Sequence, residues 1–148
     1  MSDTTTIRPS APWHLWAVGV VAVLWNAFGC YDYVTTRLGG ADYLRGFFSE
    51  PQVEYYMNMP LWADIVWPIG VWGGLIGAVL LLARSKWALH AFIASLVAFV
   101  LSLVHMYVLS NGGELFGTAQ YPIQATILTL CLVFAWYAWA MSKRGLLR

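Results

Sequence analysis

Charge is what this chain has least of. Its 148 residues include eight Lys and Arg and seven Asp and Glu, 10% of the whole, against about 25% in an ordinary soluble domain. So few charges cannot coat a water-facing surface of this size. Cysteine is scarce too, at two residues, which excludes a disulfide framework. Glycine at 13 and proline at 6 fall short of a collagenous or low-complexity chain. Missing altogether are zinc-type Cys and His spacings, a P-loop, a GxGxxG, an HExxH and a GxSxG. The sequence therefore predicts no catalytic centre, no metal site and no cofactor, and a protein that is not an enzyme. The net charge of +1 gives no reason to expect nucleic acid as a partner.

Apolar side chains are what the chain has in excess: 60% hydrophobic and 16% aromatic with nine Trp, for a mean hydropathy of +0.65. Disorder needs the opposite balance. The composition reads as an all-α integral membrane protein, one domain over residues 1–148, with the lipid bilayer as its first partner. A spanning helix needs about 20 mostly apolar residues, and four stretches qualify: 13–33, 61–83, 87–110 and 122–141. Pro60 suits a helix start, and Asn111-Gly112-Gly113 reads as a stop. Uninterrupted runs of this length favour helices over barrel strands, which alternate over about 10 residues. The expected fold is a polytopic four-helix bundle.

Orientation follows from the basic residues. Arg8, Arg84, Lys86, Lys143, Arg144 and Arg148 fall on one side, Arg37 and Arg45 on the other. Both termini are then cytoplasmic, and the loops at 35–59 and 111–121 face outward. Six of the seven acidic residues also fall at or near that outer side. A rival reading makes the first span a cleaved signal peptide, with Ala27-Phe28-Gly29-Cys30 as a lipoprotein-like site. The run is long for such a segment, and only one basic residue precedes it. In the first outer loop, Ser49 and Gln52 have capping-box spacing around Pro51, which predicts a short interfacial helix over 50–57.

Small residues let helices in lipid approach closely. Gly70, Gly73, Gly74 and Gly77 form overlapping GxxxG patterns, and Ala94 and Ala98 repeat at a spacing of four with Ser102. These are the expected packing faces; a GxxxG seam is also the feature that would pair two copies or dock the chain in a larger membrane complex. Polar groups in hydrocarbon need a reason. Asn26, Asp64, His105 and Gln124, with Asp32 and Glu114 nearer the mouth, form a candidate polar pocket in the outer half for a proton, a metal ion or a small polar solute. The alternative is ordinary interhelical hydrogen bonding. Helical arithmetic argues against full convergence: Asp64 lies roughly 100° from the glycine face, and Asp32 roughly 120° from Asn26. His14 and His90 share a depth near the inner end, the minimum for a bis-His haem in a redox-linked subunit.

The stretch Trp25-Asn26-Ala27-Phe28-Gly29-Cys30-Tyr31-Asp32-Tyr33 resembles a signature of small bacterial four-helix membrane proteins of uncharacterised function. Val71-Trp72-Gly73-Gly74-Leu75, then Leu80-Leu81-Leu82 and Arg84, looks like the second span of the same family. Its members are sometimes labelled sugar transporters, and their layout is similar to the DoxX-like group. The resemblance implies a bacterial inner membrane and four helices, and it carries over no site residue. Composition and resemblance together lead to a non-enzymatic accessory or small-solute-handling membrane component, with a transporter or channel-like subunit and a quinone or haem subunit as the alternatives.

Overall fold

The computed structural model describes residues 10–147; Arg8, Pro9 and Arg148 of the sequence reading lie outside the described residues. The described residues fold into six α-helices: α1 (Trp13–Arg45), α2 (Glu50–Met57), α3 (Leu61–Leu82), α4 (Trp87–Val104), α5 (Gly112–Phe116) and α6 (Tyr121–Lys143). A π-helical turn (His105–Leu109) continues α4, and a 3-10 turn (Gly117–Gln120) leads into α6. Among the described residues there is no strand. Four helical segments are long and apolar enough to cross a membrane, Trp13–Arg45, Leu61–Leu82, Trp87–Leu109 and Gly112–Lys143.

Two boundaries differ from the sequence reading. The first helix does not end at Tyr33 but continues to Arg45, with a break at Gly40, whose φ of 58° and ψ of −145° suit glycine. An apolar run ends where lipid ends, whereas a helix ends where the backbone is broken. Nothing between Val34 and Leu38 breaks it, and the Thr35 hydroxyl donates back to the Tyr31 carbonyl at 2.9 Å. The segment after Ser110 is likewise not an open loop. Asn111 precedes a helical turn, and α5 with the 3-10 turn fills the span up to Tyr121.

Packing proceeds in chain order, α1 on α3, α3 on α4 and α4 on α6. Glycine sets the spacing of the middle seam. A Cβ on Gly70 would meet Ala98 Cβ at 3.7 Å, and one on Gly73 the Ala91 carbonyl at 3.6 Å. Ser95 Oγ donates across this seam to the Gly70 carbonyl at 2.6 Å, and Gly77 faces the Phe92 ring. The α4 stripe that packs is therefore Ala91, Ser95 and Ala98. Ala94, expected on that face, is exposed, because it is turned about 100° from Ser95. The four glycines of the GxxxG patterns are thus occupied within the chain.

The apolar core gathers at one end. It joins Leu15 and Ala22 of α1, Ala78 and Leu81 of α3, Ala88 and Phe92 of α4, and Phe134, Ala138 and Met141 of α6, closed below by Leu146 and Leu147. At that end α1 and α6 are tied by a hydrogen bond between His14 Nδ1 and the Tyr137 hydroxyl, and Arg84 Nε donates to the Leu146 carbonyl at 3.0 Å. Every buried residue of α6 lies from Phe134 onward. Its first half buries no residue, so the bundle is closed at one end and more open along one flank at the other.

Candidate functional site

The open end carries the polar chemistry. Capping of α2 begins there: the Ser49 N–H donates to Gln52 Oε1 at 3.1 Å, and Gln52 Nε2 reaches over to the Leu115 carbonyl at 3.0 Å. One amide thus starts α2 and fastens it to α5. With Val53 buried beneath it, α2 presents Tyr55 to the C-terminal end of α4. There the Tyr55 hydroxyl lies 3.2 Å from His105 Nδ1 and 3.0 Å from Ser110 Oγ.

The π-helical turn creates this meeting point. Such turns insert a residue into the helical ladder and are frequent at functional sites. Ser110 leaves the helix in an extended conformation, and its hydroxyl turns back to donate to the His105 carbonyl at 2.7 Å. With its only proton spent, Ser110 Oγ accepts from Tyr55. Tyr55 then accepts from His105 Nδ1–H, which closes a ring of hydrogen bonds. In that arrangement His105 Nε2 carries a lone pair. His105 is 5% exposed, and Trp62 of α3 stands edge-on to it, ring centroids 5.3 Å apart at 84°.

These groups line a cleft of about 520 Å³ bounded by α2, the start of α3, the π-helical turn and α5. Its polar rim is Glu54, Asn58, Ser110 and Asn111, and its apolar floor includes Pro51, Leu109 and Leu115. Nδ1 is held by Tyr55, and among the described residues no buried side-chain nitrogen or oxygen lacks a partner. Nε2 is accordingly the ring atom that opens to the cleft.

The other polar residues singled out from the sequence do not join it. Asp64 pairs with Arg37 of α1, whose guanidinium also lies over the Tyr33 and Trp67 rings at 5.4 and 5.8 Å. Trp62 and Asp64 are two residues apart, roughly 200° around the helix, so one faces the cleft and the other faces α1. Asn26 lies deep at the seam of α1 and α3, its Nδ2 donating back to the Ala22 carbonyl at 2.8 Å and its oxygen over Gly74. Gln124 Nε2 approaches Met106 Sδ at 3.7 Å in a shallow apolar groove between α4 and α6. Glu114 is exposed on α5.

Asp32 stands on the α1 side of the same end, close enough to act on Tyr56. Burial, first, and the charges of Tyr55 and Asp32 push the Tyr56 hydroxyl up to about 12. A raised folded-state value means that Tyr56 favours the fold fully below the ordinary phenol range and ceases to as pH rises toward 12. An alkaline titration of phenolate absorbance is expected to show a step near pH 12 that Tyr56→Phe removes. Persistence of the step in the variant assigns it elsewhere.

His105 was legible as a buried ionisable residue; Tyr55, Trp62 and Ser110 were not. Tyr55 fell within the short interfacial helix expected over 50–57, and Ser110 at the end of a span. The one available signal was the capping box, which fixes the phase of α2 and with it the direction of Tyr55. Of the bis-His pair, His14 is engaged by Tyr137, while His90 is exposed beside Trp87 on the other side of the α4 stripe. Among the described residues no group of three or more His, Cys, Asp or Glu could hold a metal ion.

No protein family, curated protein or solved structure matches the chain. The cleft therefore has to be interpreted from its own chemistry.

Proposed function

We propose that this chain is a non-enzymatic multi-pass protein of a bacterial inner membrane, in the DoxX-like manner, that holds a small polar solute at the outer face. The observation that carries this reading is the cleft at His105. Its volume lies within the range of small-molecule sites, about 300–1,000 Å³. It combines an apolar floor with few converging polar groups, and its central histidine is fixed through Tyr55 and Ser110. The main apolar cluster sits at the opposite end of the bundle, so the cleft lies apart from it. A second use, as an accessory subunit of a larger complex, is favoured by the open flank between the outer halves of α1 and α6.

Two experiments test the reading. The first is a thermal-stability screen of the full chain in lipid nanodiscs against tetramethylammonium, glycerol and acetate. At least one solute is expected to raise the Tm of the native chain by a few degrees, and to leave Leu115→Trp or Asn58→Trp, which fill the cleft, unmoved. A screen in which no solute separates the native chain from both filled variants overturns the reading. The second tests orientation. After both native cysteines are replaced by Ala, a single cysteine at Asn58 is expected to react with a membrane-impermeant maleimide from outside intact cells, and one at Lys86 only after lysis. The reverse pattern would place the cleft on the cytoplasmic side.

A further inference from the structure

The chemistry of the cleft narrows its occupant. Among the residues lining it, Glu54 carries the one formal charge, and no Lys or Arg is present. The nearby cations are committed elsewhere: Arg37 to Asp64, and Arg45 to Asp42 and Glu50. Glu54 itself takes part in no ion pair among the described residues. It is exposed on the rim of α2, one residue from Tyr55, whose hydroxyl reaches Ser110. Around it stand oxygens and lone pairs: the Asn58 and Asn111 side chains, Ser110 Oγ and the open Nε2 of His105. Trp62 lines the same wall and keeps 40% of its surface exposed. A carboxylate without a counter-charge, at a concave site beside low-dielectric hydrocarbon, concentrates positive charge. An indole lining the same cleft attracts the same sign through its quadrupole, the combination that recognises ammonium groups. An anion would meet only repulsion from Glu54.

Resting on the reading of the cleft as a solute site, we propose that its occupant is a small organic ammonium ion, held by the Glu54 carboxylate and the Trp62 face. Glu54 supplies the charge, Trp62 the π-surface, and His105 with the two asparagines the acceptors for any N–H. The ammonium could be that of a free solute or that of a lipid headgroup, since the cleft opens where the helices leave the hydrocarbon; the chemistry recognised is the same.

The test uses the full chain in phosphatidylglycerol nanodiscs, which present no ammonium group, with tetramethylammonium as probe and tert-butanol as its uncharged counterpart. Tetramethylammonium is expected to raise the Tm of the native chain in the millimolar range, with tert-butanol without effect. The apparent affinity is expected to fall about tenfold or more in Glu54→Gln and in Trp62→Leu. Glu54→Gln changes an exposed side chain outside the core, so its unliganded Tm stays at the native value. Repetition in phosphatidylethanolamine discs separates the sources: a response lost there assigns the site to the headgroup, and one retained assigns it to a free solute. Native-like response in Glu54→Gln, equal response to tert-butanol, or no response in phosphatidylglycerol overturns the proposal. A response to glycerol or acetate alone overturns the ammonium assignment and leaves the solute cleft standing.

Discussion

Gly74→Ala destabilises the membrane fold by about 1–3 kcal/mol, while Gly70→Ala, one turn away on the same helix, changes it by less than about 0.5 kcal/mol. Both glycines belong to one GxxxG pattern, and what differs is the neighbour each would touch. A Cβ on Gly70 makes an ordinary contact with Ala98 at 3.7 Å. A Cβ on Gly74 falls onto the Asn26 side-chain oxygen, lies 2.8 Å from Asn26 Cγ, and is held from the other side by Ser95 Oγ at 3.3 Å. Ser95 cannot yield without giving up its bond to the Gly70 carbonyl. Asn26 must therefore swing out of the seam, losing its Nδ2 bond to Ala22 and leaving its amide without that partner. The relief is specific: Asn26→Ala removes the colliding atoms, so the double variant Asn26→Ala/Gly74→Ala recovers most of the loss. A coupling of about 0.5–3 kcal/mol between the two sites is expected from the double-mutant cycle, read by reversible unfolding in mixed detergent micelles. Equal losses at Gly70 and Gly74, or strict additivity with Asn26→Ala, would show that the seam is not built this way.

The contrast between those glycines marks how far the sequence could be read. The four spans were legible because lipid imposes a length and an apolar composition on every one of them. Helix ends were less so: hydropathy senses where lipid stops, and α1 runs unbroken past Tyr33 until its first backbone break at Gly40. Side-chain direction was legible only where one helical period decides it. The angle separating Asp64 from the glycine face is the reason it meets Arg37 instead of the cleft. Ala94 was misplaced because a spacing of four fits several stripes, and only the partner helix selects Ser95 and Ala98. The cleft was the hardest part. It needs a π-helical turn, which no Pro or Gly between His105 and Leu109 announces, and the return of α2 onto α5. Both are tertiary events that join residues fifty and more positions apart.

The largest local effect belongs to Ser110→Ala. Hydrogen exchange at the amides from His105 to Phe116 accelerates about tenfold to a hundredfold, while the amides around Leu81 and Ala138 keep their native rates. Ser110 Oγ donates to the His105 carbonyl at 2.7 Å, lies 3.3 Å from the Met106 carbonyl, and accepts from Tyr55 and from the Gly112 N–H at 3.0 and 3.4 Å. Removing it takes the hydroxyl donor from the His105 carbonyl and leaves the Tyr55 hydroxyl with only His105. Each lost bond costs about 0.5–1.5 kcal/mol, so two of them free roughly 1–3 kcal/mol of local opening, and each 1.4 kcal/mol is a factor of ten in the opening equilibrium. The effect stays local because the core that holds the spans together lies at the opposite end, among Leu15, Leu81, Phe92 and Ala138. Ser110→Thr keeps the hydroxyl and is expected to stay within about threefold of the native rate. Tyr55→Phe removes two bonds of the ring but leaves the Ser110 bond to the His105 carbonyl in place, and falls between the two. Acceleration spread evenly over all four spans would mean that the His105 turn is part of the global fold, and no acceleration at all would mean that the ring of hydrogen bonds does not hold it.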